Sequence, residues 1–210
     1  MSNYQLFQND LPLQSLKSFK GDITIDTETL GLNIKRDRLC LIQLRNESNK
    51  KVYLIKFDKD ISPANSKNIK SLLEDKSLTK IFHYARFDMA VLKENLNINV
   101  KNVFCTKIAS KLTRTYSSKH GLKDLVKEIL NIELDKTEQT SDWSQKKLTK
   151  QQIQYAMNDV IYLSDLKKNL EPKLLEAKRL KTFKSIMNFL DTRVELDLMG
   201  WENTDIFAHK

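Results

Sequence analysis

The sequence predicts an α/β fold in which a mixed β-sheet is flanked by helices and followed by a helical C-terminal extension. Three strand-like segments come first, and alternating helix-like and strand-like segments follow them. From residue 121 onward, apolar residues recur at helical spacing. This order is typical of a sheet whose strands run in both directions, with helices packed against it.

Five segments are predicted as strands. The first begins with alternating Ile23 and Ile25 and leads into a loop at Gly31. The second and third are separated by the polar residues 46–49, which are typical of a turn, so we expect them to form a hairpin. The predicted strands are 21–30, 39–45, 51–57, 79–83 and 101–105.

The helices are predicted from apolar spacing and from their end signals. Thr149 and Gln152 have the spacing of a capping box, in which the Thr hydroxyl and the Gln amide cover free backbone N–H groups. We expect the helix that they open to run to about residue 168, with Pro172 ending it. The other predicted helices are 66–75, 85–95, 106–113, a segment after 121, and a basic amphipathic helix over 173–190.

Composition limits the class of protein and of partner. The 210 residues suit one domain, and a net charge of +9 favours a polyanionic partner, with nucleic acid before an anionic membrane. Lysine enrichment that only aids solubility is the alternative. The two cysteines, Cys40 and Cys105, form no CxxC pair, and we see neither a secretory leader nor a membrane-length apolar run. We therefore expect a soluble, cytoplasmic protein with no membrane partner.

Two carboxylates at the end of the first predicted strand form a candidate metal site. Asp26 and Glu28 are two residues apart, so in a strand their side chains point to the same face. They would repel each other there without a partner, and a divalent cation such as Mg²⁺ or Mn²⁺ removes that repulsion. A solvated strand end is the alternative explanation of the same pattern.

Three further residues could complete this site. Tyr155 and Asp159 are four residues apart in a predicted helix and share a face, so the phenol could orient a water beside a ligating carboxylate. A core tyrosine and a surface aspartate would also fit. Asp88 lies early in a helix that follows a strand, where the helix dipole favours a negative charge. His83, at the end of that strand, is either a substrate contact or a structural residue.

Taken together, the motifs resemble the ribonuclease D family, in the tyrosine-bearing branch of the DEDD exonucleases. The order is D-x-E, then D, then Y-x-x-x-D. The matching stretches are ITIDTETLGL, IFHYARFDMAVL, FCTKIASKLTRTYSSKHGLKDL, SDWSQKKLTKQQIQYAMNDVIYL and TRVELDLMGWENTDIFAH. The likeness covers nearly the whole chain from about residue 20 and is closest to short bacterial members.

The resemblance implies a ribonuclease H-like sheet and two bound divalent cations, Mg²⁺ or Mn²⁺. Asp26 would bridge both ions, and Glu28 and Asp159 would hold one of them. Asp88 would act on the second, directly or through water. Tyr155 would position the attacking water. It implies a 3′→5′ exoribonuclease that releases nucleoside 5′-monophosphates from single-stranded RNA 3′ ends, in RNA processing or turnover.

Four residues are candidates for substrate contact. The resemblance places Leu32 where related enzymes wedge against the last bases, and Thr29 where a backbone N–H meets the terminal sugar. Ordinary packing is the alternative for Leu32. Trp143 could stack on a base from its polar loop, or could plug the core. His83 is the fourth candidate.

Basic residues on both sides of the later acidic elements could follow the phosphates of a nucleic acid, or could form a solvated surface. One cluster is Lys107, Lys111, Arg114, Lys119 and Lys123, and the other is Lys146, Lys147 and Lys150.

We predict an exonuclease domain over residues 1–170 and a helical extension over 171–210 packed on the same domain. That extension is too short for the extra RNA-binding domains of larger ribonuclease D proteins, so strong binding of structured RNA is not expected. Two rivals stay open: a DNA-directed 3′→5′ exonuclease, and a non-catalytic nucleic-acid-binding protein of this fold. No obligate protein partner is evident.

Overall fold

The computed structural model describes residues 4–135 and 137–209. Within these ranges the chain forms six strands and eight α-helices. The strands are β1 (Tyr4–Gln8), β2 (Ile23–Thr29), β3 (Leu39–Asn46), β4 (Val52–Lys56), β5 (Lys80–Phe82) and β6 (Val103–Cys105). The helices are α1 (Leu13–Leu16), α2 (Lys67–Glu74), α3 (Ala85–Leu96), α4 (Thr106–Thr113), α5 (Leu122–Leu130), α6 (Lys150–Ile161), α7 (Leu163–Glu176) and α8 (Leu180–Leu196).

The strands form one mixed sheet in the order β1-β4-β3-β2-β5-β6. Strand β3 pairs antiparallel with both β2 and β4, whereas β1–β4, β2–β5 and β5–β6 pair parallel. The predicted mixed sheet with flanking helices is therefore confirmed, as is the β3–β4 hairpin.

Helices cover both faces of the sheet, and the alternation of β2 shows how. Ile23 and Ile25 are fully buried in the larger core with residues of α2, α3 and α8. Thr24 points to the other face, where its hydroxyl donates a 2.7 Å hydrogen bond to the carbonyl of Val160 in α6. Residues at even positions of β2 therefore meet α6, and those at odd positions meet α3.

Four sequence-based expectations about the elements were wrong. The basic helix expected over 173–190 is divided between α7, which ends at Glu176, and α8, which begins at Leu180. The chain begins with an additional strand, β1, which pairs in parallel with β4 at the edge of the sheet. The helix expected over 149–168 is broken at Tyr162 into α6 and α7. Pro172 lies inside α7 instead of ending a helix, and the carbonyl that it cannot bond belongs to Lys168, which is exposed to water.

The C-terminal segment is joined to α3 by charged groups. Asp197, in a π-helical turn after α8, accepts hydrogen bonds from Arg86 of α3 at 2.5 and 2.7 Å, and from Arg193 of α8 at 2.6 and 2.9 Å. Its side chain is 3% exposed. Across the described ranges, every helix is too short or too polar to qualify as a candidate membrane span.

Candidate metal centre

The first two carboxylates lie side by side at the end of β2. Asp26 and Glu28 point to the same face of the sheet as Thr24, and both are half-buried. Antiparallel pairing with β3 sets Asp26 opposite Gln43 and Glu28 opposite Leu41. Backbone pairing with β3 fixes this part of β2, so the two carboxylates cannot relieve their repulsion by a shift of the strand.

Helix α6 brings the third carboxylate to this pair. Its first turn is fixed by the predicted capping box, in which Thr149 accepts from the N–H of Gln152 and the Gln152 side chain accepts from the N–H of Thr149. Asp159 then lies over the strand, next to the Val160 carbonyl that Thr24 holds. Asp26, Glu28 and Asp159 each offer an oxygen, and the three oxygens lie within 4.8 Å of one another.

Asp88 approaches from the other face of the sheet. It lies in the first turn of α3, as expected, and is 3% exposed. Thr27, between the two carboxylates of β2, points to the α3 side and donates a 2.7 Å hydrogen bond to Asp88 Oδ1. Asp88 is outside the three-carboxylate group, although its charge acts on both Asp26 and Glu28.

Burial and mutual repulsion make this cluster costly to ionise. Burial, followed by the charges of Asp88, Asp159 and Glu28, raises the pKa of Asp26 well above its usual value. The pKa of Glu28 is raised by burial first, then by Asp159 and Asp88. Burial also raises the pKa of Asp88 to about 7, although the hydrogen bond from Thr27 opposes the rise.

The phenol of Tyr155 lies beside these carboxylates and hydrogen bonds with Asp159, one turn further along α6. Burial and then the charges of Asp159, Glu28 and Asp26 raise the pKa of Tyr155 above its usual value. The hydroxyl therefore keeps its proton and acts as a hydrogen-bond donor. Because that proton is engaged with Asp159, the phenol oxygen can accept a hydrogen bond from a water molecule next to the carboxylates and so orient it.

The residues fit a hard divalent cation. Carboxylate oxygens are the ligands that Mg²⁺ and Mn²⁺ prefer, and a cation compensates for the charges that burial disfavours. The described residues include no His or Cys in this group, which argues against a zinc-type donor set.

The loop after β2 presents Leu32 to solvent. Gly31 lies so close to Asp37 that an added Cβ would come within 2.5 Å of Asp37 Oδ2. Asp37 also accepts from the N–H of Asn33, which closes the loop. Leu32 is 84% exposed, and the Thr29 hydroxyl donates to the Gly31 carbonyl. Leu32 is therefore accessible to a ligand.

The other two substrate-contact candidates have different surroundings. Trp143 is 2% exposed and packs 5.9 Å from the ring of Tyr155, between centroids, so the structure favours a core plug over a base-stacking platform. His83 is half-buried at the end of β5, with Nδ1 2.9 Å from the Thr106 hydroxyl. Among the basic residues, Arg114 is buried and paired with Glu128, which gives it a structural role.

Two residues at the site, Thr27 and Gln43, were not predicted from the sequence. Thr27 stands inside D-x-E, where the alternation rule assigns it to the face away from the carboxylates. Gln43 is fully buried on β3, and its amide Nε2 lies 3.5 Å from Glu28 Oε1. A single Gln inside the apolar run LCLIQLR was a usable signal, because a polar residue in a buried strand needs a partner.

Fold and site together define a class: an α/β protein with a candidate metal centre of three carboxylates from one strand and one helix, and a further buried aspartate on the other face of that strand. The family model described as 3′-5′ exonuclease matches residues 7–175. The chain belongs to this 3′-5′ exonuclease family.

Individual relatives cover different shares of the chain. Ribonuclease D from Desulfotalea psychrophila is 31% identical over 83% of this chain, which spans only 46% of that relative. DNA polymerase I from Aquifex aeolicus is 33% identical over 74% of this chain and 25% of its own length. NrnC from Brucella melitensis, solved bound to pGG, is 44% identical with a TM-score of 0.91, covering 99% of this chain and 98% of that one. NrnC has also been solved with bound Mg²⁺.

Proposed function

We propose that this chain is a 3′→5′ exoribonuclease that hydrolyses the terminal phosphodiester of single-stranded RNA and releases nucleoside 5′-monophosphates. The observation that carries the proposal is the group of Asp26, Glu28 and Asp159, whose oxygens lie within 4.8 Å of one another in a chain of the 3′-5′ exonuclease family. The ribonuclease D relatives support RNA as the substrate.

Two divalent cations, Mg²⁺ or Mn²⁺, complete the proposed site. Asp26, Glu28 and Asp159 would hold one, and Asp88 would act on the other, directly or through a water molecule. A pair of ions about 3.5–4 Å apart supplies electrostatic stabilisation of the attacking and the leaving oxygen in phosphoryl transfer. The Mg²⁺-bound structure of the similar protein NrnC supports a magnesium site.

The remaining steps belong to side chains of this chain. Tyr155 donates its single hydroxyl proton to Asp159, which fixes the direction of the phenol. The phenol oxygen would then accept a hydrogen bond from the attacking water and so orient it. Leu32, 84% exposed on its loop, would wedge against the last bases. Thr29 would offer its backbone N–H to the terminal sugar, and His83 would contact the substrate from the end of β5.

A digestion experiment tests this proposal. Single-stranded RNA labelled at its 5′ end is incubated with the protein and Mg²⁺, Mn²⁺ or excess chelator. We expect labelled products shortened one nucleotide at a time from the 3′ end, nucleoside 5′-monophosphates as the other product, and no cleavage in chelator. Asp159→Asn is the matched control, since it keeps the side-chain size, and it should bind RNA without cutting it. Full activity in chelator, or shortening from the 5′ end, would contradict the proposal.

A second candidate is a DNA-directed 3′→5′ exonuclease, which the similarity to DNA polymerase I favours. The same carboxylates serve both substrates, because the chemistry acts on phosphate. Matched RNA and DNA oligomers in the same assay separate the two. Including very short oligomers is warranted because the similar protein NrnC was solved with the short ligand pGG.

A further inference from the structure

Gln43 is a buried polar residue with an unusual position. It lies in the middle of β3, is fully buried, and pairs across the strand with Asp26. Cross-strand partners in an antiparallel pair point to the same face, so its side chain shares the face that carries the carboxylates. Its amide Nε2 lies 3.5 Å from Glu28 Oε1, diagonally across the same strand pair.

The hydrogen-bonding state of Gln43 is unfavourable for a purely structural residue. Among the described residues, no group donates to its carbonyl Oε1, which is fully shielded from solvent. A buried polar atom without a partner costs roughly 1–3 kcal/mol. The contact with Glu28, at 3.5 Å, is longer than the roughly 2.7–3.2 Å of an ordinary N–H···O bond and offsets little of that cost. An apolar side chain of similar size would therefore be the more stable choice at this position.

Asn46, three residues further along β3, shows how a structural amide is used. It is also fully buried, and its Nδ2 donates to the Ser18 carbonyl at 3.0 Å. Its Oδ1 accepts from the backbone N–H and from the hydroxyl of Ser48, at 3.1 and 2.8 Å. Both ends of this amide are thus satisfied, in contrast to those of Gln43.

We propose that Gln43 is a positioning residue of the metal centre, whose amide N–H holds the Glu28 carboxylate in the orientation in which it shares a divalent cation with Asp26 and Asp159. This inference rests on the proposed function. The amide is suited to the task because it donates to an acceptor-only carboxylate without adding a charge to a crowded acidic site. Glu28 is the carboxylate that needs such support, because its longer side chain has one more rotatable bond than Asp26 or Asp159.

The test compares Gln43→Met with Asn46→Leu. Both replace a buried amide by an apolar side chain of similar size. For Gln43→Met we expect the metal-free protein to melt at or above the wild-type temperature, because the unpartnered carbonyl is gone. We expect its affinity for Mn²⁺, measured by calorimetry, to fall about 10–100-fold, as does that of metal sites that lose an outer hydrogen bond. For Asn46→Leu we expect a lower melting temperature with unchanged Mn²⁺ affinity and activity.

Gln43→Asn provides a second variant in which the amide is retained but shortened by one methylene, out of reach of Glu28, and its Mn²⁺ affinity should fall in the same direction. The inference is overturned if the Mn²⁺ affinities of Gln43→Met and Gln43→Asn both match wild type. If the proposed exonuclease function itself is wrong, the result is distinguishable, because the wild-type protein would then neither bind Mn²⁺ nor shorten RNA.

Discussion

At the scale of single residues, the site is governed by the cost of gathering negative charge away from water. Asp26 and Glu28 are held side by side by the ladder, and Asp159 is fixed over them by α6. Without a cation, part of this cluster is expected to carry protons at neutral pH, because burial and repulsion raise the pKa of Asp26, Glu28 and Asp88. Metal binding and proton binding therefore compete.

This competition predicts how stability depends on pH in the absence of metal. The pKa of Asp88 rises from 3.8 to about 7 on folding, so between these values the folded protein keeps a proton that the unfolded chain releases. Stability must then fall as pH rises through this interval. In thermal melts with chelator, the melting temperature of the wild-type protein should fall relative to that of Asp88→Asn, which cannot titrate, as pH increases towards 7. A constant difference between the two proteins would contradict the assignment.

Thr27 gives a second residue-scale prediction. Its hydroxyl donates at 2.7 Å to Asp88 Oδ1, and both groups are buried. Thr27→Val keeps the shape and removes the donor, so we expect the Mg²⁺ concentration for half-maximal activity to rise about 10-fold or more. Thr27→Ser keeps the hydroxyl and should restore most of the activity. Equal metal requirements for Thr27→Val and wild type would remove Thr27 from this role.

The sequence was informative about residues wherever side-chain direction follows from local periodicity. D-x-E fixes two carboxylates on one strand face, and Y-x-x-x-D fixes a phenol and a carboxylate on one helix face. Thr27 was missed because its partner, Asp88, lies on helix α3. Gln43 was missed because its contact with Glu28 depends on how β3 pairs with β2. Trp143 could not be assigned from its polar neighbours, since its burial against Tyr155 depends on how α6 packs.

At the scale of elements, local signals predicted the hairpin and the start of α6, and long-range pairing explains what was missed. Strand β1 is an edge strand with several exposed positions, and among the described residues it pairs with β4, which lies far along the chain. The break between α6 and α7 at Tyr162 lacks a Gly or a Pro to mark it. It lets α6 follow β2 and β3 while α7 packs with the second core around Leu166 and Phe104.

The capping box of α6 yields a prediction at this scale. Thr149 accepts from Gln152 at 3.1 Å and so fixes the helix that carries Tyr155 and Asp159. Thr149→Ala should destabilise the protein by about 0.5–2 kcal/mol, measured by chemical denaturation. Thr149→Ser keeps the capping oxygen and should stay close to wild type. If Thr149→Ala unfolds at the same denaturant concentration as wild type, the cap does not stabilise the start of α6.

At the scale of the whole molecule, the site exists because helices from opposite faces of one sheet meet the same strand. Helix α6 delivers Asp159 to the even-numbered face of β2, and α3 delivers Asp88, which bonds to Thr27 on the odd-numbered face. The net charge of +9 gives the chain as a whole a positive surplus suited to a polyanion. Composition favoured a polyanionic partner. The convergence of the segments that carry Asp26, Asp88 and Asp159 could be seen only in the folded structure.

The most direct test of this convergence is anomalous diffraction from a crystal soaked in Mn²⁺. We expect an anomalous peak within bonding distance of carboxylate oxygens from Asp26, Glu28 and Asp159, and we expect this peak to be lost in a crystal of Asp159→Asn. Active protein whose soaked crystals show no peak between these three residues would contradict this convergence.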